Sequence, residues 1–186
     1  MKAREELNDV QVIERYLILL LGVVDKPVPS ILHLEKELFI LSKANPTIAN
    51  FITFEKHYYG PYSEDIAELV RNPVYYVDVY KHEPGGAITL NQKGKKIYQN
   101  LVKEHSQNPR FKELLGMMKM IREMYDKLSK DELLFLIYAT YNEYTQKSTI
   151  SDKLLSPQKR REIAEKLLKK GIITPQRYSE LVSDNE

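Results

Sequence analysis

His33 and Glu37 stand four residues apart on one predicted helix, the spacing that puts two metal-ligating side chains on the same face. A zinc site needs three or four such ligands, and His57, His82 and His105 lie far apart in the chain. The pair therefore reads as part of a solvated helix face. Cysteine is absent, which removes thiol nucleophiles, disulfides and Cys-ligated zinc or iron–sulfur chemistry together. No HExxH, GxSxG, GxGxxG or Walker A string occurs, and Gly85 with Gly86 is accounted for by a turn. These residues argue for no catalytic group, no metal and no cofactor, so the expectation is a protein that is not an enzyme.

Residues suited to binding are better represented. Lys81 and His82 stand at the rim of a predicted hairpin, with Lys93, Lys95 and Lys96 just beyond it. Such a set could neutralise several DNA phosphates, and an ordinary wet lysine face is the equal alternative. Lys159, Arg160 and Arg161 open the most cationic stretch, QKRREIAEKLLKKG, which could track phosphates or an acidic partner. Acid–lysine pairs at four-residue spacing, Glu162 with Lys166 and Glu165 with Lys169, equally describe a stable surface helix. The 13 tyrosines cluster as Tyr58, Tyr59 and Tyr62, as Tyr75, Tyr76 and Tyr80, and as Tyr138, Tyr141 and Tyr144. The last trio falls on one helical stripe and reads as core. The first two groups are expected to meet around the hairpin and could form an interface anchor, because tyrosine offers a large rigid contact with a polar tip. Tyr58, Tyr59 and Tyr62, with Arg71, are the candidate protein-binding residues, and burial of those tyrosines in the core is the alternative.

The elements that must carry these residues follow from periodicity. Val10, Ile13, Leu17 and Leu20 or Leu21 mark a first helix, broken by DKPVPS. Ser30 can cap a second, with Ile31, Leu34, Leu38 and Leu41 inward and Glu35, Lys36 and Lys43 facing away. NFITFEKHYY stays between strand and loop. Gly60 and Pro61 are expected to turn the chain into SEDIAELVRN, capped by Ser63, whose positive end suits Glu64 and Asp65. VYYVDVYK and AITL read as strands around HEPGG, with Pro84 and Gly85 placed for a type II turn. A helix follows from about Asn91, and every later window is helical, including a capping box from Ser129 to Glu132. The expected fold is mainly α with a small β-hairpin: a winged helix-turn-helix-like domain over residues 1–105 and an all-helical extension over 106–186.

Charge and hydropathy narrow the setting. Residues 1–105 carry 13 Lys/Arg against 14 Asp/Glu, and residues 106–186 carry 15 against 12, leaving a net +2. A nucleic-acid binder working through bulk electrostatics is usually more basic. The longest apolar stretch, Tyr16 to Val24, is too short for a bilayer, and MKAREELNDV lacks a signal-like apolar region. A cytoplasmic location without membrane attachment is the expectation.

LEKELFILSK, FITFEKHYYGPYSEDIAELV and the junction ITLNQKGKKIY together resemble the SocA/Panacea-type antitoxin-domain family and the YwgA-like winged-helix proteins of archaea and bacteria. The resemblance spans roughly residues 10–105, and DELLFLIYATYNEYTQKS is similar to a helical extension in some archaeal members. It implies a winged-helix-like fold that binds and neutralises or delivers a partner protein, with regulatory DNA binding as a further implication and no catalytic residues. Two functions follow as expectations: a DNA-binding transcriptional regulator, or an antitoxin-like module that holds a protein through its YGPYS surface. Either could act as a homodimer. The acids Glu64, Asp65 and Glu68, set against Arg71 alone, make the helix after YGPYS a poor major-groove reader.

Overall fold

In a computed structural model residues 8–183 are described; most of the N-terminal segment searched for a signal lies outside them. The described residues fall into two compact units. One runs to Thr53 and resumes over Ser63–Asp126; the other joins Phe54–Tyr62 to the chain from Lys127 onward. The boundary expected after residue 105 thus falls between two helices of the first unit, because the helix after it packs on the first two helices of the chain.

In the first unit, α1 (Asp9–Gly22) starts where the Asn8 side chain accepts from Val10 N, and α2 (Ile31–Ala44) starts where Ser30 accepts from His33 N. The single turn α3 (Pro46–Ala49) follows, and α4 (Glu64–Arg71) buries Ile66, Ala67, Leu69 and Val70. Ile13, Leu17, Leu20, Leu34, Leu38 and Leu41 are buried as the periodicity predicts, but α2 is enclosed on nearly every side. His33, Glu35, Lys36 and Glu37, read as solvated, are all buried, while Lys43 is exposed as expected. Ser63 stands at the N-cap of α4 yet makes no capping bond, and its hydroxyl is buried without a hydrogen-bond partner.

Strand structure is shorter than predicted. Of the stretch 74–90, only Tyr80–His82 and Ile88–Leu90 pair, antiparallel, and residues 73–79 form a loop fastened elsewhere. Between the two strands Gly85 takes φ 86°, as the third position of a type II turn requires. Val28 adds an isolated bridge to Ile88, exchanging both backbone bonds at 2.8 and 2.9 Å. Asn91 caps α5 (Gln92–Glu104), and Gly94 lets that helix lie against the Val79 carbonyl, where a Cβ would collide. The long helix α6 (Pro109–Tyr125) closes the unit against α1 and α2.

The second unit contains the other hairpin, Glu55–His57 paired with Gly60–Tyr62. Tyr58 and Tyr59 form its two-residue turn, and Gly60 with Pro61 opens the return strand instead of making the turn. Gly60 has φ 78°, which explains why glycine follows the turn residues. Helix α7 (Lys130–Thr140) begins with the predicted capping box in full, Ser129 accepting from Glu132 N and Glu132 accepting from Ser129 N. It ends before Tyr141, so the tyrosine stripe is not one helix face, although Tyr138 and Tyr144 are buried as expected. A 3-10 turn (Asn142–Thr145), α8 (Ser151–Leu154), α9 (Pro157–Lys169) and α10 (Pro175–Ser183) complete the unit. Among the described residues no helix is long and apolar enough to cross a membrane. The architecture is mainly helical, with two small antiparallel hairpins.

Candidate interaction surfaces

The hairpin lysines of the first unit lead into a groove of about 380 Å³ lined by Asp25, Lys26, Lys81, Glu83, Asn91 and Lys95 among others. Two of its cations, and the nearby Lys93, have partners within the fold. Lys81 pairs with Glu83 at 2.7 Å and Lys95 with Asp25 at 3.0 Å, and Lys93 donates to the Val77 carbonyl at 2.7 Å. His82 and Lys96 are exposed. Arg71 sits on α4 4.0 Å from Glu68, on a helix whose other exposed residues are Glu64 and Asp65.

The segment after α4 is the most thoroughly fastened loop of this unit. The Glu14 carboxylate, fully buried on α1, accepts from three consecutive backbone N–H groups, those of Val74, Tyr75 at 2.9 Å and Tyr76 at 3.2 Å. Arg15 donates to the Tyr76 hydroxyl at 2.7 Å, Asn91 to the Asp78 carbonyl at 2.9 Å, and Asp78 takes the left-handed φ of 56°. Tyr80, alongside, keeps a buried hydroxyl without a hydrogen-bond partner; burial first, then the Glu14 charge, raises its pKa and holds it protonated. Sequence reasoning missed this arrangement because Glu14 adjoins the apolar stripe Ile13 and Leu17, and an acid there resembles a residue at the edge of the face. Pro73 and Asp78 bracketing the segment were the available signal for a loop.

A second buried ionic group lies between α2 and α6. Arg122 is fully enclosed; its Nε lies 2.8 Å from Asp126 and 3.8 Å from Glu37, and its fork donates to the carbonyls of Leu20, Leu21 and Lys26. It supplies the cation that the C-terminal end of α1 lacks in its own last turn. Both Glu37 carboxylate oxygens are buried without a hydrogen-bond partner. Burial, then the neighbouring Asp126, pushes the Glu37 pKa well up, and the Arg122 charge does not offset this.

In the second unit the hairpin tip carries the exposed aromatics. Tyr58 is 59% and Tyr59 40% exposed, whereas Tyr62 is half-buried. His57 stacks on Tyr62 at 4.6 Å and meets Tyr58 at 4.7 Å, the Lys130 ammonium lies 3.6 Å from the Tyr59 ring centre, and Thr149 N donates to the Tyr58 carbonyl. Arg71 belongs to the other unit. Lys159 bonds Glu162 at 3.1 Å, and Arg160 donates to the carbonyls of Leu155 and Leu181, tying α9 to its neighbours. Arg161 is exposed. Burial alone would raise the Glu132 pKa, but hydrogen bonds from Lys170 and the Ser129 N–H hold it below the usual range. Among the described residues no three His, Cys, Asp or Glu side chains gather to hold a metal.

No protein-family model matches the chain, and no curated protein matches it. The surfaces must be read on their own chemistry.

Proposed function

We propose that this chain is a non-enzymatic protein-interaction module on a winged-helix-type scaffold, which holds its partner through the Tyr58–Tyr59 hairpin tip. The observation that carries this reading is the exposure of two adjacent tyrosines on a turn that is already ordered. Their rings and backbone are positioned by His57, Lys130 and Thr149, so a partner gains aromatic contact area without ordering the turn first. The resemblance to antitoxin-type domains favours the same class of function.

Connectivity supports the scaffold. Helix α1, the bridging residue Val28, α2, α4, the hairpin formed by Tyr80–His82 and Ile88–Leu90, and α5 follow the order of a winged helix, with the isolated Val28–Ile88 bridge where a third strand would lie. The same order motivates a second reading, DNA binding through His82, Lys96 and the lysines near them. Against it, the helix that would enter the groove exposes Glu64, Asp65 and Glu68, and Lys81 and Lys95 already neutralise acids.

Affinity purification of the tagged chain from its own cells, quantified by mass spectrometry, tests the first reading. A stoichiometric protein should accompany the wild type and be lost from Tyr58→Ser/Tyr59→Ser. Retention of the same partner by that variant would sink the proposal. Anisotropy with random 20-base-pair duplexes at two salt concentrations tests the second; nanomolar binding that survives the higher salt would establish it over the first.

A further inference from the structure

Glu37, Asp126 and Arg122 bring two acids and one cation together inside the first unit. Glu37 and Arg122 are fully enclosed, and Asp126 keeps 17% of its side chain in water. Every arm of Arg122 is engaged, Nε with Asp126 at 2.8 Å and the two terminal nitrogens with the carbonyls of Leu20, Leu21 and Lys26. Glu37 stands 3.8 Å from Nε, beyond a hydrogen bond, and both of its oxygens, like Oδ1 of Asp126, are buried with no hydrogen-bond partner. A second carboxylate without a donor is costly in a dry core. An acid proton between the two carboxyls supplies the donor and removes the excess charge together.

The surroundings decide which acid carries that proton. The chief helical neighbours of α2 are α3, which has no titratable residue, α4, whose Arg71 charge acts on Glu35, and α6, whose Arg122 and Asp126 act on Glu37. Lys36, on α2 itself, lies 3.4 Å from Glu35. The last turn of α1 offers carbonyls and no basic side chain, and the buried acid of α1, Glu14, is turned to the 74–76 amides. Asp126 has the direct guanidinium contact, so the proton belongs to Glu37, whose carboxyl lies within hydrogen-bonding reach of Asp126. We propose that Glu37 and Asp126 form a proton-operated clasp on the last turn of α6. With the proton in place, Glu37 donates to Asp126, and Asp126 is held by Arg122 one turn earlier in the same helix. When the proton passes to solvent, two carboxylates face one guanidinium; Asp126, the member of the three with access to water, turns outward and leaves Nε to Glu37. The last turn, closed by the Asp126 N–H on the Arg122 carbonyl at 3.0 Å, then loses its side-chain clamp where the chain leaves the first unit.

The test is a carboxyl 13C NMR titration of the labelled full chain, read beside amide hydrogen exchange. The Glu37 signal should stay at its protonated position while the exposed acids ionise, and should move in a later step that displaces the Asp126 signal with it. In Asp126→Asn that step should fall by about one pH unit or more, because the repelling carboxylate is gone and Nε is free for Glu37. Through the same step, exchange at the Met124, Tyr125 and Asp126 amides, corrected for the base-catalysed rate, should rise in the wild type. It should stay level in Glu37→Gln, which keeps a donor toward Asp126 at every pH. Glu37 ionising together with the exposed acids overturns the proposal, as does an unmoved step in Asp126→Asn or an equal rise in exchange in Glu37→Gln. If a variant does not fold, the wild-type curves decide alone: Glu37 and the α6 amides must share one midpoint, and separate midpoints sink the clasp.

Discussion

Glu14 on α1 and Glu37 on α2 are both fully buried acids in apolar helices, and the structure treats them in opposite ways. Glu14 is met by three backbone N–H groups, and its carboxylate organises a surface loop. Glu37 meets no hydrogen-bond donor; Arg122, the nearest cation, is committed to Asp126 and to three carbonyls, and burial favours the protonated acid. A buried acid in an amphipathic helix is therefore not one kind of feature. Where donors converge it builds a surface, and where they do not it becomes a neutral or strained part of the core.

The largest test removes the cation from the second site. Arg122→Met leaves Glu37 beside Asp126 with no compensating charge and frees the carbonyls of Leu20, Leu21 and Lys26, so it should cost about 3–5 kcal/mol in urea unfolding. Adding Glu37→Leu should recover much of that loss, because the pair is then replaced by apolar groups. If the double variant is no more stable than Arg122→Met, Glu37 is not the burden the comparison makes it.

Glu14→Gln comes next. The amide has one oxygen where the carboxylate had two, and it brings an NH2 group toward N–H donors, which should cost about 1–3 kcal/mol. Hydrogen exchange is the sharper readout. Protection should fall first at the Val74, Tyr75 and Tyr76 amides while that of α1 persists. Uniform loss across the unit would make Glu14 an ordinary core residue and remove its role in holding the 73–79 loop.

How much of this was legible in the sequence depends on which interaction fixes each element. Helix starts set by local bonds were readable: Ser30, Asn91 and the Ser129–Glu132 box act within four residues of themselves. The type II turn at Pro84–Gly85 was readable for the same reason. Burial around most of α2 was not, because Glu35, Lys36 and Glu37 lie between the apolar positions Leu34 and Leu38 with the look of a polar face, and only tertiary packing encloses them. Residues 74–79 have strand-forming side chains, yet a carboxylate some 60 positions earlier takes the N–H groups that a ladder would have used. Tyr58 and Tyr59 are exposed, and the turn they form lies two residues before the Gly60–Pro61 position expected for it.

A pH series addresses Glu37 with a smaller effect. Its folded pKa is raised, so the folded state holds the proton more tightly than the unfolded chain. That contribution is fully present below the unfolded carboxyl value of about 4.3 and is lost as pH rises through the raised one. The wild-type melting temperature should decline across this window, and Glu37→Gln should flatten the decline and be the more stable form at its upper end. A wild-type profile that rises there would show Arg122 holding Glu37 ionised.

Two serines extend the comparison at the lowest magnitude. Ser30 and Ser63 occupy equivalent positions before α2 and α4, but Ser30 accepts from His33 N at 3.2 Å and lies 2.9 Å from the His33 ring, whereas the buried Ser63 hydroxyl has no hydrogen-bond partner. Ser30→Ala should cost about 1 kcal/mol, the usual loss for a working cap. Ser63→Ala removes a buried hydroxyl that gives nothing back for its lost hydration, so it should fall within about 0.5 kcal/mol of wild type or slightly above it. Equal losses at the two sites would mean that position, and not the bond made, decides what a buried polar group contributes, and the distinction drawn between Glu14 and Glu37 would fail with it.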